Sequence, residues 1–399
     1  MDDEAGQPAA RHTAAAGNMI RGAMSLMDVL NGAERWIGLT AERRRLAARS
    51  RQARSLTSLD QLRGIACHCP PDLAFHHVHS EAIREAADVV IDYDSNVEHP
   101  RRPQVPLPFL VPFAPAIPRG AIVHLKADHV AQFAATILPR LAAPIVLVTG
   151  DADRAQVASH RHLLEHPMIG HWFAQNADLD EDHPRLGPIP IGLDNPVYTK
   201  FEKRLGFLVD TLAGRARLDP RLSRNDTGDQ RRFNAAAIAA RRVIGRKPLA
   251  VLCTFHKNHR IAPDISGLPD RVAAAAALSG KPFCHFLTRR IPQDDCWRMH
   301  ADFAFEASPQ GNGMDCFRTW EALALGTVPI VRRSPLDRLY RAHGLPVAIV
   351  EDWDEVTAER LAHWAEELVP QLGPSRHKLS ADYWTGLIRA RAAEVAAGA

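Results

Sequence analysis

A chain of 399 residues, 46% apolar and 24% charged, is long enough to bury two cores of ordinary domain size, which rules out a collagen, a disordered tail or a disulfide-stapled mini-protein. Lys and Arg number 49 against 46 Asp and Glu, so the formal net charge of +3 leaves no polyanion-binding excess and nucleic acid is not an expected partner. Six cysteines, at 67, 69, 253, 284, 296 and 316, are too few and too scattered for a disulfide framework and read as thiols in a reducing compartment. No run approaches the ~18 to 20 apolar residues of a membrane span. Met1-Asp2-Asp3-Glu4 is acidic where a secretion signal would be basic. The expectation is a cytoplasmic protein, with peripheral contact at the inner membrane face left open, as is the oligomeric state.

In chain order, residues 1–60 read as an N-terminal helical extension: 1–17 are small and polar, and 19–39 carry Met, Ile, Leu and Trp at irregular helical spacing. Six arginines between 43 and 54, with no acid among them, make a local basic face, either a solvated helix side or a contact for anionic lipid or a charged acceptor. From about residue 63, β-rich runs alternate with helical ones. The spacing predicts strands over 88–91, 121–125 and 144–148 and a helix over 128–141. Strands joined by crossover helices imply a parallel sheet covered on both faces. After 189–193 the pattern weakens. Residues 211–247, rich in Arg, Asp and Asn with one helical piece over 234–243, read as a connection. A second parallel α/β unit follows, with strands over 249–253, 302–306, 327–331 and 347–350 and helices over 315–325, 335–342 and 354–368. Gly326 stands where a left-handed helix cap is wanted, and Pro335 and Asp354 where helices start. Residues 380–395 read as a terminal helix with Trp384, Ile388 and Ala392 on one side.

The stretch from Phe305 to Val331 carries the chemistry: strand, glycine loop, helix, strand. Gly311 and Gly313 admit close approach to the backbone, and the following helix offers amide groups and a positive dipole end to an anion. As a dinucleotide fingerprint the loop is incomplete, because Cys316 stands where the third glycine belongs. More specific is Glu321, a carboxylate set among Trp320, Ala322, Leu323 and Leu325, where it is costly without a partner. Arg318, one turn earlier, is one such partner. The other reading is that Glu321 accepts hydrogen bonds from the two hydroxyls of a ribose.

The run from Ser308 to Val331, with Gly311-Asn312-Gly313, Arg318 and Trp320-Glu321-Ala322-Leu323, resembles the nucleotide-sugar-binding segment of GT-B glycosyltransferases and is most similar to their exostosin-like branch. The strong resemblance covers residues 301–351, and 123–194 is similar to related bacterial sequences more loosely. It implies an α/β fold of two Rossmann-like domains facing across a cleft: an acceptor domain over 61–210, the connection 211–247, a nucleotide-sugar-binding domain over 248–370, and a C-terminal helix within 371–399 that crosses back to the first domain. It further implies transfer of a sugar from a nucleoside diphosphate sugar to a hydroxyl of a glycan or lipid-linked glycan, in surface polysaccharide assembly. Ser308, Gly311, Asn312, Gly313, Asp315 and Arg318 would face the diphosphate or sugar, and Glu321 the ribose. Retaining members commonly carry a second glutamate where Gly313 or Gln310 falls here, so inversion is expected.

An inverting transferase needs a base for the acceptor hydroxyl. Asp151, in the loop after strand 144–148, is the first candidate, followed by His124 and Asp128 after strand 121–125 and by Asp194. Each is also a natural helix cap or loop residue. Lys257 and Arg260, in the loop after strand 249–253, are expected to clamp the leaving diphosphate, so no metal is required. Two alternatives compete. Asp151-Ala152-Asp153 is a D-x-D, which in metal-dependent GT-A transferases holds a divalent cation, and the chain could bind a nucleotide or carbohydrate without turnover, as a partner of a polysaccharide synthase. Cys67, His68, Cys69, His76, His77 and His79 suggest zinc, but their spacing is poor.

Overall fold

The computed structural model describes residues 77–91, 107–154, 156–193, 230–255, 268–288, 291 and 293–398. The expected N-terminal extension, its basic stretch, Cys67, His68, Cys69, His76 and residues 211–229 of the connection lie outside them. Both sheets described below belong to one compact unit.

The first sheet consists of β1 (Val89–Ile91), β2 (Ile122–Lys126), β3 (Ile145–Gly150), β4 (Ile169–Ala174) and β5 (Leu186–Pro188), all parallel and in that spatial order. Every residue of β3, Ile-Val-Leu-Val-Thr-Gly, is buried. A parallel strand flanked by crossovers is hidden on both faces, which is why such strands read as unbroken β-branched runs. Around it stand α1 (Ser80–Glu85), α2 (Leu107–Leu110) and α3 (Val130–Thr136). The helix expected over 128–141 is shorter than its sequence signal, because 3-10 turns at Ala127–His129 and Leu138–Arg140 take its ends and Pro139 sits in the second.

The second sheet consists of β6 (Val251–Cys253), β7 (Cys284–Phe286), β8 (Phe305–Ala307), β9 (Val328–Arg332) and β10 (Ala348–Val350), again all parallel. Its order is β10-β9-β8-β6-β7. β7 and β8 therefore lie on opposite sides of β6, and the chain reverses its direction of travel across the sheet at that point. The helices are α4 (Gln230–Arg241), α5 (Leu268–Leu278), α6 (Gln293–Met299), α7 (Phe317–Ala324), α8 (Asp337–Ala342), α9 (Ala358–Leu368) and α10 (Ala381–Ala397). β4, β5, β7, α1, α2, α5 and α6 are additions to the elements expected from sequence.

The end of α7 is built as expected: Gly326 takes φ +70°, a conformation that favours glycine. The last carbonyls of α7 and its cap find cationic donors. Arg241 Nη1 reaches Leu323 O at 3.1 Å, and buried Lys247 Nζ reaches Leu325 O at 3.0 Å and Gly326 O at 2.7 Å. α10 begins where Ser380 accepts the Tyr383 amide, and it packs on β2, β3 and β4, so the chain returns from the second sheet to cover the first. Ile388, Ala392 and Val395 are buried there, and Trp384 meets Trp320 of α7 edge-on, ring centroids 6.2 Å apart. No helix among the described residues is long and apolar enough to cross a membrane.

Candidate functional site

In open parallel sheets, ligands bind beyond the carboxyl ends of the strands, at the point where strand order reverses. Here that point lies between β6 and β8. β6 runs into Thr254 and Phe255, and β8 into the loop Ser308-Pro309-Gln310-Gly311-Asn312-Gly313.

Side chains hold this loop by its backbone. Asp270, at the start of α5 and 3% exposed, accepts the Gln310 amide at 2.8 Å through one oxygen and Trp353 Nε1 at 2.7 Å through the other. Arg271 Nε donates to Gln310 O at 3.0 Å, and Arg318 Nη1 donates to Pro309 O at 3.3 Å. Arg318 Nε also donates to Thr254 Oγ1 at 3.2 Å, and its guanidinium lies 5.9 Å from the Phe255 ring centroid. Two guanidiniums thus converge on one short loop. Burial pulls the Arg271 pKa down, and the charge of Arg318 pulls it further. An anion at the loop relieves both penalties. α7 starts here without a side-chain cap, adding its dipole to the same place.

The other expected residues divide. Half-buried Glu321 lies on α7; burial raises the Cys296 pKa, and the charges of Glu306 and then Glu321 add to it. At Gly311 an added Cβ would stand 2.7 Å from Arg271 Nη2, so this glycine leaves room for the guanidinium.

Gly313 is a correction. An added Cβ would stand 2.9 Å from both the Asp153 carbonyl and Asn176 Nδ2, so its bareness accommodates the first sheet's loops rather than a phosphate. Asn312 Nδ2 donates to Asp153 Oδ2 at 3.1 Å across the same contact. Asp315 is a second correction: it precedes α7 and points to the first sheet. Its carboxylate accepts the Ile191 amide at 2.8 Å, the Cys316 amide at 2.9 Å and Trp320 Nε1 at 2.9 Å, while its own amide donates to Asn176 Oδ1 at 2.8 Å. Burial pushes its pKa up to about 6 against the pull of those donors. Ser308 is a third, because it is 3% exposed and its hydroxyl pairs inward with Thr319 at 2.9 Å.

On the first sheet, Asp151 stands at the carboxyl end of β3 with φ +57°. Its Oδ2 accepts Arg84 Nη1 at 3.0 Å, and its amide donates to Gln175 Oε1 at 3.0 Å. Asp153 has a different partner, Asn312, whose Nδ2 donates to its Oδ2 at 3.1 Å. His124 is 2% exposed in the middle of β2, too deep to reach an acceptor, which corrects its candidacy as a base. Asp194, Lys257 and Arg260 lie outside the described residues. Among the described residues no cluster of three or more His, Cys, Asp or Glu is arranged to hold a metal.

Arg271, Asp270 and Thr254 are site residues absent from the sequence expectations. Asp270-Arg271 follows Pro269 at the head of an alanine run, a helix-start signal, but nothing local says that this helix start meets a loop forty residues on. No protein-family model matches the chain, and no curated protein matches it.

Proposed function

We propose that the chain binds a nucleoside diphosphate sugar in the crevice between β6 and β8 and passes the sugar, with inversion, to a hydroxyl of a glycan or lipid-linked glycan, in the manner of a GT-B glycosyltransferase. One observation carries the reading: the segment that resembles a nucleotide-sugar site lies at the reversal point of the second sheet, beside Arg271, Arg318 and the uncapped start of α7. Two guanidiniums and a helix terminus supply the positive charge that a diphosphate leaving group needs. Glu321 takes the ribose hydroxyls. Asp151 is the described candidate for the base, its side chain 22% exposed beside Arg84.

The test is a panel of nucleoside diphosphates scored by thermal stabilisation, since a ligand that prefers the folded state raises its melting temperature. Calorimetry on Glu321→Ala with the best of them should show a loss of about 1 to 3 kcal/mol, the value of charge-assisted hydrogen bonds. Unchanged affinity would remove Glu321 from the site.

Binding without turnover is the second reading, and it is favoured by the engagement of Asp151 with Arg84 and the burial of His124. Release of free nucleoside diphosphate on incubation with donor and acceptor glycans separates the two.

A further inference from the structure

Behind the crevice lies a buried chain of polar groups that the binding just described does not use. Glu306 on β8 and His300, each 1% exposed, meet through Oε2 and Nε2 at 2.7 Å. His300 Nδ1 is 3.0 Å from the Cys296 carbonyl, which can only accept, so Nδ1 carries a hydrogen. Burial pulls the His300 pKa down, but the charge of Glu306 and its hydrogen bond outweigh that and the pKa is raised.

The other Glu306 oxygen, Oε1, lies 2.6 Å from Thr254 Oγ1. A hydroxyl has one hydrogen to give, and a carboxylate can only accept, so Thr254 donates to Glu306. What remains on Thr254 Oγ1 is lone pairs, and these face Arg318 Nε at 3.2 Å. The direction of one hydroxyl is therefore dictated from inside the protein, and it determines how the guanidinium beside Pro309 is held.

We propose that Glu306, His300 and Thr254 are positioning residues, which orient Arg318 toward an anion at the glycine loop by fixing the Thr254 hydroxyl as an acceptor. The proposal rests on the reading of that loop as a diphosphate site and deepens it. Arg318 would otherwise lose rotamer entropy on meeting its ligand, and this chain imposes that loss in advance.

The experiment compares the full chain with Thr254→Val, which keeps the shape and removes the hydroxyl, and with Thr254→Ser, which keeps the hydroxyl. The readouts are affinity for inorganic pyrophosphate by calorimetry and the Arg318 Nε–H resonance by 15N NMR. Thr254→Val should weaken pyrophosphate binding about tenfold, the worth of one hydrogen bond to a charged group, and shift the Arg318 resonance. Thr254→Ser should retain both. Should Thr254→Val not fold, Thr254→Ala removes the same hydroxyl without a new methyl and is read the same way. If wild type binds pyrophosphate and Thr254→Val binds it as tightly with the Arg318 resonance unmoved, the positioning role is overturned while the diphosphate site stands. Equal losses in Thr254→Ser and Thr254→Val also overturn it, since the hydroxyl would not be the cause. Failure of wild type to bind pyrophosphate or any nucleoside diphosphate overturns the diphosphate site itself.

Discussion

The two sheets share a plan, five short parallel strands, and differ in order. In the first, each described strand lies beside its predecessor. In the second, β7 is laid down on one side of β6 and β8 on the other. A sheet that grows in one direction keeps its carboxyl-end loops in step, whereas a reversal parts neighbouring loops and leaves a crevice between them. The uses of the loops follow. Those after β6 and β8 gather two arginines, an uncapped helix start and a glycine loop. Those after β3 and β4 reach out through Asp153 and Asn176 to support that glycine loop. One sheet offers the candidate site, and the other braces it.

The sharpest way to break this comparison is to remove both guanidiniums. Arg271→Ala with Arg318→Ala should lower nucleoside diphosphate affinity by about a hundredfold or more, two charge-assisted contacts at about 1.5 to 3 kcal/mol each. Calorimetry showing a smaller loss than for a surface arginine such as Arg389 would move the site elsewhere.

The brace between the sheets has its own signature in pH. Asp315 keeps its proton up to about 6 in the folded chain, against an ordinary value of 3.8. Between those values the unfolded chain has released a proton that the folded chain retains, so this contribution is full below about pH 4 and is lost as pH rises to about 6. The two units correspond to about 3 kcal/mol. Urea titrations at pH 4 and pH 7 should show that slope in wild type and its loss in the neutral Asp315→Asn. Parallel profiles would mean that the Asp315 charge is not what the contact between sheets feels.

The smallest effect separates the two glycines. Gly313→Ala drives a methyl against the backbone of Asp153 and should cost about 1 to 2 kcal/mol of stability. Gly311→Ala meets the movable end of Arg271 most closely, with Cys316 Sγ at 3.3 Å, and should cost less stability but weaken pyrophosphate binding. Equal melting temperatures for the two would remove the distinction.

Much of this framework is legible in sequence. β3 and β6 are buried throughout, β2 and β9 are buried except at their last residues, Lys126 and Arg332, and Gly326 marks the end of α7 as a left-handed cap should. β5 and β7 are not legible: Leu186-Gly187-Pro188 contains two residues that strands avoid, and Cys284-His285-Phe286 is half exposed and too short for a period to show. The alanine run of α5 is a readable helix signal absent from the expected elements. At the loop, Arg318 and Gly311 are recognisable from the strand-loop-helix spacing. Which glycine faces a ligand and which faces protein is not, because the neighbour that decides it, the Asp153 loop, lies 159 positions before Asn312. The pairing of Asp151 with Arg84 is equally hidden, since the two are 67 positions apart.

The helix behind the glycine loop is anchored at both tips by distant chain. At its head, Asp315 takes the Ile191 amide 124 positions away, and at its tail, Arg241 and Lys247 reach back over 82 and 78 positions. Contacts of such span close large loops, so they form only once most of the chain has already collapsed. The motif can thus be cut out as a peptide or a half-length product, but its geometry cannot travel with it. The shape of this segment is therefore a property of the folded chain that precedes it, from residue 191 onward.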